Sequence, residues 1–343
     1  MGAVFLATRE SDGRAVVVKF LAADLARNPT LRARFQREWD AQRKVHPHPN
    51  VARVLDVRGD EAAPCLAMEY VEGTPLDLLL REEGRLPAQR AALIARDMAR
   101  GLAAVHAHGL IHRDVKPGNA IVGPGGAVKI VDFGLAKDLF LSGLTKPGEV
   151  LGTALYMAPE QWDDEGIDAR CDVFALGATL YHLLCGRPPF EGEDMDEIAD
   201  SCQAGDYAPP TSLVPDCPPE LELVICRALM SDAGLRYQRI ADLGEDLDRV
   251  LRGEAARVPA LLGAGGRRFP LIPEEWITIG SAPPARVLLE HPSVAPKHAQ
   301  VRREANGFVL RDLKSPGGTF VGDAPLAPGR ARPLRDGDAL RFG

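Results

Sequence analysis

The stretch His112-Arg113-Asp114-Val115-Lys116-Pro117-Gly118-Asn119 constrains this chain more than any other, because Asp132-Phe133-Gly134 follows it at a short, strand-compatible distance. An octet with Asp, Lys and Asn at these offsets is by itself an ordinary polar loop. A second Asp in a Phe-Gly turn just downstream changes that reading. Together they set a carboxylate able to accept a proton beside an amide and a second carboxylate able to hold Mg²⁺. Moving a phosphoryl group needs that set of groups, since the protein's task there is positioning and charge neutralisation.

With 343 residues the chain has room for two domains, each able to bury its own core. A hydrophobic share of 45% and a charged share of 26% are ordinary globular values and argue against wholesale disorder. The formal charge of −7 gives no basic footprint for nucleic acid. Cys65, Cys171, Cys185, Cys202, Cys217 and Cys226 have no C-x-x-C spacing, so they read as reduced, mostly buried thiols of a cytoplasmic protein. No apolar run approaches the roughly 20 residues of a membrane helix, and no secretory signal opens the chain.

The β-branched run Ala15–Phe20 predicts a buried strand carrying Lys19, and Leu31, Phe35, Trp39 and Val45 predict an amphipathic helix over 31–45. A further strand is expected over 65–71 and a long helix over 86–108, opened by Pro87. The almost unbroken apolar run 172–185 predicts a fully buried helix, and more helices are expected at 219–230 and 240–251. Strands first and helices after predict a two-lobed α+β domain over 1–252. Residues 253–268, rich in Ala, Gly and Arg with little periodicity, read as a linker. Beyond it, strand-like runs at 276–279, 287–289, 299–302 and 308–310, broken by Gly, Pro and Asn-Gly, predict a small all-β sandwich over 269–343.

With the octet and the Asp-Phe-Gly turn in place, the first domain resembles a Ser/Thr protein kinase, most closely the bacterial eukaryotic-like members, over about residues 1–252. The resemblance implies Mg²⁺ and ATP as cofactors and Ser/Thr hydroxyls of proteins as substrates. Asp114 takes the place of the catalytic base and Lys116 that of the cation that neutralises the transferring phosphate; Asp-x-Lys-x-x-Asn is similar to Ser/Thr rather than tyrosine kinases. Asn119 and Asp132 match the metal ligands. Lys19 matches the Lys that grips the first two phosphates, and Glu38 its helical partner. Either residue is unremarkable alone; their order ahead of the octet gives them meaning. Val17 stands where Ala is usual against the adenine face, and Met68-Glu69-Tyr70-Val71 resembles the hinge that binds the adenine edge.

Gly152-Thr153 and Ala158-Pro159-Glu160 resemble the end of an activation segment. The resemblance sets Thr153 near Asp114 and Lys116, pairs Glu160 with Arg236, and makes Asp172 the anchor of the catalytic loop. Arg113 beside Asp114 implies a phosphate on that segment, with Thr145 and Ser142 as candidate acceptors.

The family covers the phosphates with Gly-x-Gly-x-x-Gly-x-Val. Here the chain opens Met1-Gly2-Ala3-Val4, where Gly2 fits the third glycine and Val4 the adenine-contacting valine. The expectation is truncation, with Met1 an internal Met taken as a start or the first residue of a fragment, over the alternative of a true start in a damaged kinase. Either way this chain as written is expected to bind nucleotide poorly.

Ile277-Thr278-Ile279-Gly280, Ser293 to Ala299, Gly317-Gly318-Thr319-Phe320-Val321 and Asp336-Gly337-Asp338 resemble a forkhead-associated (FHA) domain, whose loops bind phosphothreonine peptides. The scaffold matches but the pocket does not: Ser281 replaces Arg, Ala295 replaces Ser and Gly317 replaces Asn. Losing a bidentate guanidinium removes charge and geometry together. Lys297 and Arg286 are left as cations, and His298 and Thr319 as loop-holding groups. The strand after Asp338 ends at Phe342-Gly343, where the fold adds at least one more, so this end is also expected to be incomplete. The competing reading is a non-catalytic, pseudokinase-like scaffold. The presence of Lys19, Glu38, Asp114, Asn119 and Asp132 together favours the enzyme.

Overall fold

The computed structural model describes residues 3–21, 27–45, 47–58, 64–132, 147–162, 166–263, 268–271, 276–282, 285, 287–289, 291–304 and 307–343. They belong to two compact units, Met1–Ala256 and Arg257–Gly343.

The first unit opens with strands β1 (Val4–Thr8), β2 (Ala15–Phe20), β3 (Val54–Arg58) and β4 (Cys65–Glu69), in an antiparallel sheet of order β1-β2-β4-β3. Helix α1 (Pro29–Lys44) presents Phe35 and Trp39, four residues apart and so on one face. Both are buried in a cluster with Leu21, Val54, Leu66 and Met68. That burial fixes the helix against the sheet, and truncating either aromatic to Ala would cost about 3–5 kcal/mol. The strand expected to reach Val71 stops at Glu69, because the β2–β4 ladder ends at the Val16–Glu69 pair.

The helical body follows: α2 (Leu76–Glu83), α3 (Ala88–His106), α4 (Pro147–Ala154), α5 (Pro159–Trp162), α6 (Arg170–Cys185), α7 (Met195–Ala204), α8 (Pro210–Leu213), α9 (Pro219–Ala228) and α10 (Ile240–Leu251). Pro87 stands just ahead of α3, where its fixed φ of −54° suits a helix entry. Every residue of α6 from Cys171 to Tyr181 is buried, as a helix apolar on all sides requires. Helix α7 carries no strong sequence signal, since only Ile198 and Cys202 are buried; the Asp194 carboxylate caps it by accepting the Glu197 N–H at 3.0 Å.

Strands do not all precede helices. Strands β5 (Thr74–Pro75), β6 (Ala120–Val122) and β7 (Val128–Ile130) form a small sheet of order β5-β6-β7 within the helical body. Buried Ala120, Val128 and Ile130 hold it there. All six cysteines are free thiols. No helix among the described residues is long and apolar enough to cross a membrane.

The second unit contains β8 (Ala260–Leu262), β9 (Arg268–Pro270), β10 (Ile277–Gly280), β11 (Val287–Leu288), β12 (Ala299–Glu304), β13 (Gly307–Asp312), β14 (Thr319–Val321), β15 (Ala324–Pro325), β16 (Ala331–Pro333) and β17 (Leu340–Phe342). One sheet runs β11-β10-β12-β13-β16, a second β15-β14-β17, and β8 pairs with β9. Ile279, Val301 and Leu310 from the first sheet meet Val321 from the second in one core, with Phe269 and Leu271 beside them. The expected linker 253–268 is therefore too long: Ala260–Leu262 is a paired strand, and Leu261 packs on this core. Its short length hides the pattern from a periodicity reading.

Candidate active site

Strands β6 and β7 bring the two sequence motifs together. Ala120 pairs with Ile130, and the Val131 N–H donates to the Asn119 carbonyl at 2.9 Å, so Asn119 and Asp132 leave adjacent strands side by side. The loop ahead of β6 folds as a 3-10 turn, Pro117–Asn119. Asn119 Nδ2 donates to the Asp114 carbonyl at 2.7 Å and to Asp114 Oδ2 at 2.8 Å. With the side-chain amide hydrogens committed to Asp114 and the backbone carbonyl to Val131, the side-chain oxygen Oδ1 of Asn119 is the atom left for a cation.

Lys116 Nζ lies 2.8 Å from Asp114 Oδ1 and donates to Thr153 Oγ1 at 2.7 Å. A cation thus spans the octet and the end of α4. Lys19 is buried on β2, and its Nζ donates to Asp132 Oδ1 at 3.0 Å. Glu38 lies on α1, but its side chain is outside the described residues, as are Gly2, Ser142, Thr145, Arg286, Phe133 and Gly134. Val4 stands opposite Lys19 in the β1–β2 ladder, and Val17 opposite Met68. Met68 is buried, whereas Val71 follows the end of β4.

The octet is held from below by Asp172, which is wholly buried near the start of α6. Its Oδ2 accepts the His112 N–H at 2.8 Å and its Oδ1 the Arg113 N–H at 2.7 Å, while His106 Nε2 lies 2.7 Å from Oδ2. Burial alone would raise this carboxyl's pKa. The hydrogen bond from His106, the attraction of the His112 and His106 rings and the His112 N–H outweigh that and hold it below the ordinary value. His112 is itself fully buried, and burial pushes its pKa down. Arg113 has φ +64°, a left-handed conformation that a non-glycine residue adopts only when its surroundings fix it. Its carbonyl accepts from Gln161 Nε2 at 3.2 Å, and its buried Nε has no hydrogen-bond partner among the described residues.

Glu160 and Arg236 form a two-pronged ion pair of 2.6 and 2.8 Å, with the guanidinium also donating to the Met230, Ser231 and Arg170 carbonyls. Two contacts have no counterpart in the sequence reading. Lys129 on β7 pairs with Glu69 at the end of β4, and Tyr156 OH lies 2.6 Å from His182 Nδ1. Neither belongs to a local motif, so spacing offers no signal for either.

In the second unit, His298 is wholly buried. Its Nδ1 accepts the Ala295 N–H at 3.0 Å, which leaves Nε2 to donate to the Gly318 carbonyl at 3.0 Å. The Asp312 carboxylate, also missed from sequence, accepts from Thr319 Oγ1 at 2.7 Å, Ser315 Oγ at 2.5 Å and the Ser315 N–H at 3.1 Å. Ser281, Ala295 and Gly317 occupy loop positions around this frame.

A small antiparallel sheet with one long helix, set with a helical body around a buried apolar helix, and a polar cluster built from β2, β6 and β7, make the first unit a two-lobed protein kinase fold. The comparison with known families agrees: residues 1–238 match the protein kinase domain, and the chain belongs to that family. Residues 277–343 match the FHA domain. Among curated relatives, the serine/threonine-protein kinase PknB of Mycolicibacterium smegmatis is 40% identical over 255 residues, covering 73% of this chain and 41% of that protein. A probable serine/threonine-protein kinase of Streptomyces coelicolor is 36% identical over 258 residues, covering 74% of this chain and 38% of its own length. The chain thus spans about two fifths of these relatives. A crystal structure of the Mycobacterium tuberculosis PknI kinase domain aligns with a TM-score of 0.57 at 24% identity, over 73% of this chain and 90% of that one, and supports the fold.

Proposed function

We propose that this chain is a serine/threonine protein kinase that transfers the γ-phosphoryl group of Mg-ATP to protein hydroxyls, with a fused FHA-type module for a protein partner. The observation that carries the reading is the Lys116 ammonium joined to both Asp114 and Thr153, beside Asn119 and the Lys19–Asp132 pair.

The donor set fits the expected cofactor. Asn119 offers an amide oxygen and Asp132 a carboxylate, both hard donors suited to Mg²⁺ rather than to a soft transition metal. When bound, Mg-ATP supplies the phosphoryl group and a cation that offsets the charge of the leaving phosphate. Lys19 would hold the phosphates and Asp132 the cation, each giving up the other as partner. The backbone after Met68 would hold the adenine edge, and Val4 and Val17 would supply apolar contact to the base.

Asp114 accepts the proton of the attacking Ser or Thr hydroxyl as its oxygen bonds to phosphorus and the bond to the leaving phosphate breaks. Lys116 neutralises the transferring group, and Thr153 holds Lys116 in place. The direct test compares the full chain with Asp114→Asn for phosphate transfer to a Ser/Thr peptide. Equal activity in the two proteins sinks the assignment. The buried Nε of Arg113 supports a phosphate on the activation segment, and Thr145 is the preferred acceptor over Ser142. Phosphopeptide mapping that finds Thr145 unmodified in active protein overturns that part.

For the second unit we propose a protein partner bound without the usual phosphothreonine contact. Ser281, Ala295 and Gly317 provide no guanidinium, hydroxyl or amide at the three phosphate-facing positions, and Lys297 is the cation left on the 293–299 loop. His298 and Asp312 are committed to holding loops. Tight binding to the full chain by a phosphothreonine peptide and not by its unphosphorylated form would overturn this. A cytoplasmic location follows the free thiols.

A further inference from the structure

Lys129 has no part in the site above, and Glu69 enters it only through its backbone, yet their side-chain ion pair joins two segments that the chemistry needs in fixed relation. Glu69 is the last residue of β4, and the chain runs from it directly into 70–73, the segment proposed to receive the adenine edge. Lys129 is the middle residue of β7, three positions before Asp132. The two side chains are 28% and 30% exposed, so the pair is shielded but not buried, in the range where an ion pair contributes up to about 1 kcal/mol.

Strand β7 is itself held firmly from its other side. Asn50 Nδ2 donates to the Val128 carbonyl at 2.8 Å, the Ile130 N–H to the Asn50 carbonyl at 2.9 Å, and the Ala52 N–H to the Ile130 carbonyl at 2.8 Å. Gly101 of α3 backs this segment so closely that a Cβ there would lie 2.6 Å from the Asn50 carbonyl oxygen. Lys129 therefore reaches from a braced strand to Glu69, the last paired residue of β4, where the chain leaves the ladder for 70–73. A second ion pair, Lys19–Asp132, also ties the first sheet to the end of β7. Its two groups are the ones that must turn to phosphate and cation, so it cannot serve once nucleotide is bound. The Glu69–Lys129 pair is free of that duty.

We infer that Lys129 is a positioning residue for the nucleotide: through Glu69 it holds the adenine-binding segment 69–73 in register with the strand that presents Asp132. This rests on the nucleotide reading above for its link to turnover, but the coupling itself is a property of the unliganded chain. Breaking the pair loosens the purine end of the site and leaves the Asp114 cluster intact, so the effect falls on affinity and not on the chemical step.

The test measures steady-state kinetics and backbone hydrogen exchange on the full chain, for wild type, Lys129→Met, Glu69→Gln and the swapped pair Glu69→Lys/Lys129→Glu. Each single change should raise KM for ATP about three- to fivefold with kcat within about twofold, the scale of a partly shielded ion pair. Without nucleotide, the amides of residues 70–73 should exchange several-fold faster in each single variant. The swap should restore both readings. Unchanged exchange in the single variants overturns the inference, and so does a fall in kcat at unchanged KM or a swap as impaired as the singles. If wild type itself transfers no phosphate, the proposed function fails, while the exchange comparison still decides whether Lys129 holds this segment.

Discussion

The carboxylate of Asp172 accepts the backbone N–H of Arg113 at 2.7 Å, and Arg113 sits in a left-handed conformation, φ +64°. The second relation depends on the first. A left-handed non-glycine residue costs of order 1–3 kcal/mol and persists only where the surroundings over-determine it. Here a wholly buried carboxylate, also accepting from His112, supplies the anchor from the start of α6. Asp114 is the next residue, so the direction of the proposed base is set by a group far along the chain.

Replacing Asp172 should therefore cost both stability and turnover. Asp172→Asn keeps the shape but sets an amide hydrogen donor against backbone donors. The expected loss is about 2–4 kcal/mol in denaturant unfolding, with a fall in phosphate transfer at saturating ATP. A variant that unfolds like wild type would show that the loop is held by other contacts.

Thr153 should affect rate with little effect on folding. Its hydroxyl is the neutral partner of Lys116, whose other neighbour is Asp114. Thr153→Val removes one hydrogen bond to a charged group, a contribution of about 1.5–3 kcal/mol. We expect kcat to fall by roughly ten- to a hundredfold, against at least about a hundredfold for Asp114→Asn. The discriminating measurement is single-turnover phosphate transfer with unfolding midpoints alongside.

The Arg236 guanidinium donates five hydrogen bonds, two of them to Glu160, and has no exposed surface. Arg236→Met leaves Glu160 without its partner, and removal of one member of a buried pair costs about 3–5 kcal/mol. Reduced soluble yield and a lower thermal midpoint are expected. The double change Glu160→Gln/Arg236→Met should recover part of the loss, because it leaves no uncompensated charge.

Stability should depend on pH through His182. Burial pushes this imidazole down from 6.5 to about 4 in the folded chain, where Tyr156 OH meets its Nδ1. The unfolded chain takes up the proton first, so stability falls as pH drops from 6.5 toward 4 and levels off below that. The shift sets an upper limit of about 3 kcal/mol over this window. His182→Phe should lose that slope while keeping a constant offset for the unpaired Tyr156 hydroxyl. The comparison is urea unfolding of both proteins at several pH values; parallel curves would show that His182 does not titrate on unfolding.

The second unit should be sensitive at Gly280. A Cβ there would lie 1.9 Å from the Pro296 carbonyl oxygen, which is backbone and cannot step aside. Gly280→Ala should destabilise this unit by at least about 2 kcal/mol. The measurement is protease resistance of residues 257–343 within the full chain. Wild-type resistance would mean that the loop at Pro296 adjusts at little cost.

The sequence by itself determined the family of the first domain and its longer elements. The octet at His112, the Asp-Phe-Gly turn and the helix at 240–251 are legible because spacing and period are local properties of a chain. The buried helix at 170–185 is legible for the same reason. The short strands β5–β9 and the helix α7 were not, since two or three paired residues leave no period to read. Tertiary structure alone decided that Lys19 meets Asp132, Lys129 meets Glu69 and Tyr156 meets His182. Such pairs are fixed by how the braced strand β7, the buried helix α6 and the first sheet pack. Nothing in the residues flanking either partner encodes that packing.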